Sequence, residues 1–105
     1  MMKLTVDSNA AAWFKEEVGI PEGRGIRFKT KIYSNSPVRE GFGIALESDK
    51  PTDLAPVIFE ADNGLVFFIE EDDLWFFDGH DLKVELDETL NEPHYKYYLD
   101  GKAIN

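Results

Sequence analysis

Glu70-Glu71-Asp72-Asp73, followed by Asp78, His80 and Asp81, is the stretch with the most chemistry to offer. Hard divalent ions such as Ca²⁺ or Mg²⁺ take several oxygen ligands that converge on one point. Adjacent side chains diverge on a strand or a helix, so four consecutive carboxylates cannot all converge. The EF-hand spacing is absent. The same run suits the start of a helix, where carboxylates meet the positive end of the dipole and keep the surface solvated. That is the simpler reading, and a divalent-cation site is its alternative. His80 lies between two carboxylates, as a base or a ligand would. No Ser or Cys nucleophile and no second His in register accompany it, so a surface turn residue explains it better. His94 follows Pro93 at a strand start, and nothing marks it out.

Gly23-Arg24-Gly25 hints at a phosphate cradle, yet neither G-x-G-x-x-G nor G-x-x-x-x-G-K-[ST] is completed. Arg24, Arg27, Lys29, Lys31 and Arg39 form a stronger pattern. They put positive charge along one strand face and its loops in an otherwise anionic chain. Pairing with carboxylates across the sheet would account for them. A docking patch for an acidic ligand or partner is the functional reading.

What the composition excludes is sharper. The 105 residues include no Cys and only two His, which removes disulfides, thiolate nucleophiles, Cys-ligated clusters and multi-His metal sites. Net charge is −10, unevenly spread: eight Lys/Arg against seven Asp/Glu in residues 1–52, three against fourteen in residues 53–105. Such a surface repels nucleic acid and anionic membrane leaflets. No apolar run of signal-peptide or membrane-spanning length appears, so the expected location is the cytoplasm.

The elements that must position these residues follow from periodicity. Ala10, Trp13, Phe14 and Val18 make an apolar helical stripe, with Asp7-Ser8-Asn9 as N-cap candidates and Gly19 as the C′ residue. From Ile26 the period becomes two. Ile26, Phe28, Thr30 and Ile32 face one way, and Arg27, Lys29, Lys31 and Tyr33 the other. Ser34 to Gly41 reads as a polar loop, and Phe42, Ile44 and Leu46 alternate through a second strand. Asn63-Gly64 predicts a hairpin between Val57–Glu60 and Leu65–Ile69. Glu70 to Gly79 predicts one or two helical turns, although its aromatics would also suit a strand. Phe67, Phe68, Trp75, Phe76 and Phe77 crowd both faces of this segment. One or two of these rings are expected to stay exposed, which leaves room for self-association. Leu82, Val84 and Leu86 form a further strand, and Tyr95 and Tyr97 the last.

In order, these segments resemble the HesB-like family of A-type iron–sulfur carriers. The matching pieces are Leu4-Thr5-Val6 ahead of Ala10-Ala11, Gly23-x-Gly25-Ile26-Arg27-Phe28, Leu46-Glu47-Ser48-Asp49-x-Pro51, Asp73-Leu74-x-Phe76-Phe77-Asp78-Gly79, His80-Asp81-Leu82-Lys83-Val84 and Leu90-Asn91-Glu92-Pro93. The resemblance implies that carriers of this family hold a cluster or iron with one Cys after the first core strand and a C-x-C pair near the C-terminus. Here those places read Ser34-Asn35-Ser36-Pro37-Val38-Arg39-Glu40-Gly41 and Leu99-Asp100-Gly101-Lys102-Ala103-Ile104-Asn105. Neutral hydroxyls and amides do not replace thiolates on soft iron–sulfur units, so no ligand role transfers.

The expectation is a mostly β, α+β HesB-like domain over residues 3–99, a small twisted sheet or sandwich with one N-terminal helix and one short helix near 71–78. Residues 100–105 form a tail. It is expected to be non-enzymatic and without cofactor, an accessory protein that docks on a protein partner through Arg27, Lys29, Lys31, Ser34, Asn35, Ser36 and Arg39. Neither nucleic acid nor membrane is an expected partner, and a homodimer fits the aromatic surplus.

Overall fold

The computed structural model describes residues 2–21, 23–35, 40–77 and 79–104, with residues 33–35 and 40–42 described in backbone only. Helix α1 runs over Ser8–Val18 and ends at Gly19, whose φ of +64° is the left-handed C′ geometry that glycine adopts without strain. Asp7 stands at the N-cap with extended backbone, but its side chain makes no capping bond. Instead its N–H donates to the Val84 carbonyl at 2.9 Å, and its own carbonyl accepts from Ala11 N–H at 2.9 Å, which ties the helix start to a strand. The buried face carries Ala10, Ala11 and Phe14. Val18, expected in that stripe, occupies the last helical position and is 42% exposed.

Two four-stranded sheets make the body. The first has the order β1-β6-β7-β8, from Leu4–Val6, Asp81–Asp87, Glu92–Leu99 and Lys102–Ala103. The second has the order β3-β2-β5-β4, from Glu40–Asp49, Gly25–Asn35, Val66–Ile69 and Val57–Glu60. Strand β1 is parallel to β6 and sets Leu4 and Val6 beside Leu82 and Val84, all buried. At three and two residues, β1 and β8 are too short to show a period, and the sequence reading names neither as a strand. Strand β8, within the stretch read as a tail, pairs with β7 across the Asp100-Gly101 turn.

In the second sheet the polar stretch after β2 is shorter than expected. Ser34 pairs with Gly41 and Asn35 with Glu40 as strand residues, after a register shift between Ile32 and Ser34. Ladder bonds are made by the backbone, so polar side chains do not stop a hairpin from continuing. Strand β5 lies antiparallel to β4, joined at Asn63-Gly64 as predicted, and parallel to β2 at Ile26↔Phe67 and Arg27↔Phe68. Gly25 opens β2 there because a Cβ at that position would lie 2.4 Å from the Val66 carbonyl oxygen.

The core lies between the sheets and under α1. Phe67 meets Phe14 edge-on at 5.3 Å between ring centroids and stacks near Phe28 at 6.0 Å. The predicted turns after β5 form as a 3₁₀ turn, Glu71–Asp73, continuing into α2, Leu74–Phe77, which buries Phe76 and Phe77. Trp75 is the one ring of the five that stays exposed, at 48%. Ile32, assigned to the inward face, is 61% exposed because β2 outruns the short β5. Among the described residues no helix is long and apolar enough to cross a membrane.

Tyr95 and Tyr97 pack on this core, and burial pushes both phenols up to about 12. Their neutral forms are favoured in the fold, so the stability they confer is complete below the ordinary value of about 10 and is lost as pH rises toward 12. Absorbance at 295 nm should show Tyr95 and Tyr97 ionising late. The urea midpoint should fall from pH 10 upward. Ionisation of Tyr95 and Tyr97 near 10 in the folded protein would refute this.

Candidate functional site

The outward face of β2 carries Arg27, Lys29 and Lys31 at alternate positions, and the structure gives each a different setting. Arg27 is locked. Its Nη2 lies 3.1 Å from Asp73 Oδ2 and its Nη1 3.4 Å from Asp49 Oδ2. Burial pulls this guanidinium down, but Asp73, Asp49 and Glu70 together outweigh it and hold it above its ordinary value. Arg27 is therefore already engaged by two carboxylates of the fold.

Lys29 and Lys31 stand opposite Ala45 and Gly43 on β3. Neither has a long cross-strand side chain directly facing it. Lys29 reaches diagonally to Glu47 Oε2 at 2.9 Å, with both side chains well exposed, where an ion pair contributes little. Lys31 is exposed and has no ion pair among the described residues. Past Phe28, the opposite face of the same hairpin shows Ile32 and Leu46 to solvent. Ser34 and Asn35 belong to the strand ladder, and Ser36 and Arg39 lie outside the described residues. The candidate site is thus the β2–β3 hairpin, where Lys29 and Lys31 are the exposed cations.

The acidic run divides between two duties. Glu70 turns toward the β3–β4 connection, accepting from Thr52 N–H at 2.9 Å and Thr52 Oγ1 at 2.8 Å. Asp73 turns toward β2, accepting from Arg27 and, at 3.1 Å, from Thr30 N–H. Both are buried, whereas Glu71 and Asp72 are exposed. His80 Nδ1 bonds the Phe77 carbonyl at 2.8 Å, and Asp81 Oδ1 accepts from Lys3 N–H at 2.8 Å. Asp78 lies outside the described residues. Among those described, no three His, Asp or Glu side chains gather as metal ligands. Among the described residues of that run, the two buried carboxylates, Glu70 and Asp73, each serve a different structural partner. The sequence reading missed this division. The three-residue spacing of Glu70 and Asp73, one helical turn apart and just before an apolar stretch, was its only local signal.

The carriers' ligand positions are also accounted for. Residues 34–41 of the sequence offer Ser, Asn, Pro, Val, Arg, Glu and Gly, and the tail turns through Asp100 and Gly101. A donor set of hydroxyls, amides and a few carboxylates does not fit an iron–sulfur unit.

No protein-family profile matches the chain. Over 96 residues it is 42% identical to a Bacillus subtilis (strain 168) protein named pyruvate dehydrogenase inhibitor, covering 91% of this chain and 99% of that protein. It is 32% identical over 95 residues to an uncharacterized Staphylococcus saprophyticus protein, covering 97% of it. The crystal structure of Escherichia coli SufA, involved in biosynthesis of iron–sulfur clusters, superposes with a TM-score of 0.57 at 28% identity, over 91% of this chain and 79% of that one. The chain has the HesB-like fold, and it belongs to the family of the Bacillus subtilis inhibitor.

Proposed function

We propose that this member of the inhibitor's family is a non-enzymatic protein that acts by binding another protein, and that its partner is a pyruvate dehydrogenase. The single observation that carries this reading is the 42% identity extending over 99% of a relative named for such inhibition. The missing cysteines agree with it, because a HesB-like chain without thiolates keeps the scaffold of a carrier without the means to hold its cargo. A surface that works by docking needs neither nucleophile nor cofactor.

The docking surface in this reading is the β2–β3 hairpin. Lys31 is unpaired among the described residues and Lys29 is held only by an exposed carboxylate, so both are available to an acidic patch on the partner. Exposed Ile32 and Leu46 supply apolar contact on the other side of the same projection. The test is capture on immobilised pyruvate dehydrogenase complex from Bacillus subtilis. Wild-type protein should be retained, and retention should fall at least tenfold in Lys29→Glu/Lys31→Glu with its melting temperature unchanged. Equal retention of the two proteins would remove the hairpin from the interface, and retention of neither would remove the partner.

A further inference from the structure

A two-lobed cleft lies beside the loop that follows α1. One lobe, about 350 Å³, forms where the end of α1 and the loop after it meet the β4–β5 turn, with Lys15, Arg24, Asn63 and Gly64 in its walls. The other, about 240 Å³, continues past Arg24 to the β3–β4 connection and is walled by Gly23, Gly64 and Lys50. Arg24, Gly23 and Gly64 belong to both lobes. Among the described residues the lining holds three cations and no carboxylate, in a chain with 21 Asp/Glu against 11 Lys/Arg.

Two of the three cations, Lys15 and Arg24, are held in place by hydrogen bonds. Lys15 Nζ is tethered to the Asn63 carbonyl at 3.2 Å. Arg24 is anchored through Nη2 to the Ser48 carbonyl at 2.8 Å and through Nε to Ser48 Oγ at 3.3 Å. Its Nη1 has no bond among the described residues, and Asp49 stands at 3.7 Å from Nη2. Lys50 has no ion pair among the described residues. Gly23 and Gly64, at φ of +84° and +85°, leave open space where side chains would otherwise intrude.

We propose that this cleft binds a small anion bearing two or more negative groups, with Arg24 at its centre and Lys15 and Lys50 at its ends. Arg is suited to planar bidentate recognition of carboxylate and phosphate alike, so the shared chemistry is a polyanion of either kind. The inference stands apart from the docking reading, since it involves neither Lys29 nor Lys31.

The experiment is thermal unfolding with citrate or pyrophosphate as probes, against sodium chloride of matched ionic strength. At ten times its dissociation constant a probe should raise the melting temperature by roughly 5 °C. A rise with citrate alone assigns the cleft to carboxylates, and one with pyrophosphate alone assigns it to phosphates. The rise should disappear in Arg24→Gln. It should shrink in Lys50→Gln, which removes no contact of the fold, and persist in Lys31→Gln, which makes the same charge change elsewhere. No rise beyond the salt control with either probe would overturn the proposal. So would an undiminished rise in Lys50→Gln together with Arg24→Gln.

Discussion

Replacing Asp73 with alanine is expected to destabilise the fold by about 3 kcal/mol, enough to lower the melting temperature of a chain this size by roughly 10–20 °C. The carboxylate is buried and serves two donors at once, the Arg27 guanidinium and Thr30 N–H, each at 3.1 Å. Removing it leaves a half-buried cation whose Nε already has no partner, and a strand N–H without its acceptor. Asp49 remains near Arg27 at 3.4 Å and keeps the loss at the lower end of what a broken buried pair costs. Glu71→Ala and Asp72→Ala, in the same run but exposed, should stay within about 0.5 kcal/mol of wild type. Urea unfolding of the three variants checks this. Three equal, small losses would mean that the acidic run is only a solvated surface.

Phe67→Ala is expected to cost about 4 kcal/mol and to leave little folded protein at 37 °C. Phe67 is fully buried on β5, a strand that pairs with both β2 and β4. Its ring bridges α1 through Phe14 and the long hairpin through Phe28. Truncation opens a cavity where helix and sheet meet, and the rigid strand on either side limits collapse into it. Phe67→Leu keeps much of the volume and should cost less than half as much. A loss below about 1.5 kcal/mol for Phe67→Ala would show that the core repacks freely around β5.

The parts of the fold that sequence made legible were those with a sustained period. Helix α1, the alternation from Ile26, the Asn63-Gly64 hairpin and the turns after Glu70 all appear where periodicity and turn chemistry put them. What stayed hidden depended on partners distant along the chain. Asp73 and Arg27 are 46 residues apart, and only the packing of the 3₁₀ turn against β2 tells Asp73 from its neighbour Asp72. Strand β1 is too short to carry a pattern and exists because β6 offers it an edge. Ser34 and Asn35 looked like loop residues because polarity was the only guide there, whereas the ladder that holds them is blind to side chains.

The candidate site was legible in part for the same reason. Alternating cations on β2 are visible in one dimension, but which of them is already spent on the fold is not. Of Arg27, Lys29 and Lys31, Arg27 is engaged by Asp73 and Asp49, whereas the two lysines stand exposed on the hairpin. The absence of cysteine was fully legible, and with it the absence of thiolate ligands. A protein-docking surface, by contrast, has no motif. Its recognition rests on shape and charge that only a partner completes.

The most direct test of the account is the rate of pyruvate oxidation by the Bacillus subtilis pyruvate dehydrogenase complex as this protein is added. The account predicts a fall to a plateau as the protein approaches stoichiometry, with the Lys29→Glu/Lys31→Glu variant leaving the rate near its starting value. An undiminished rate at a large molar excess of folded wild-type protein would contradict it.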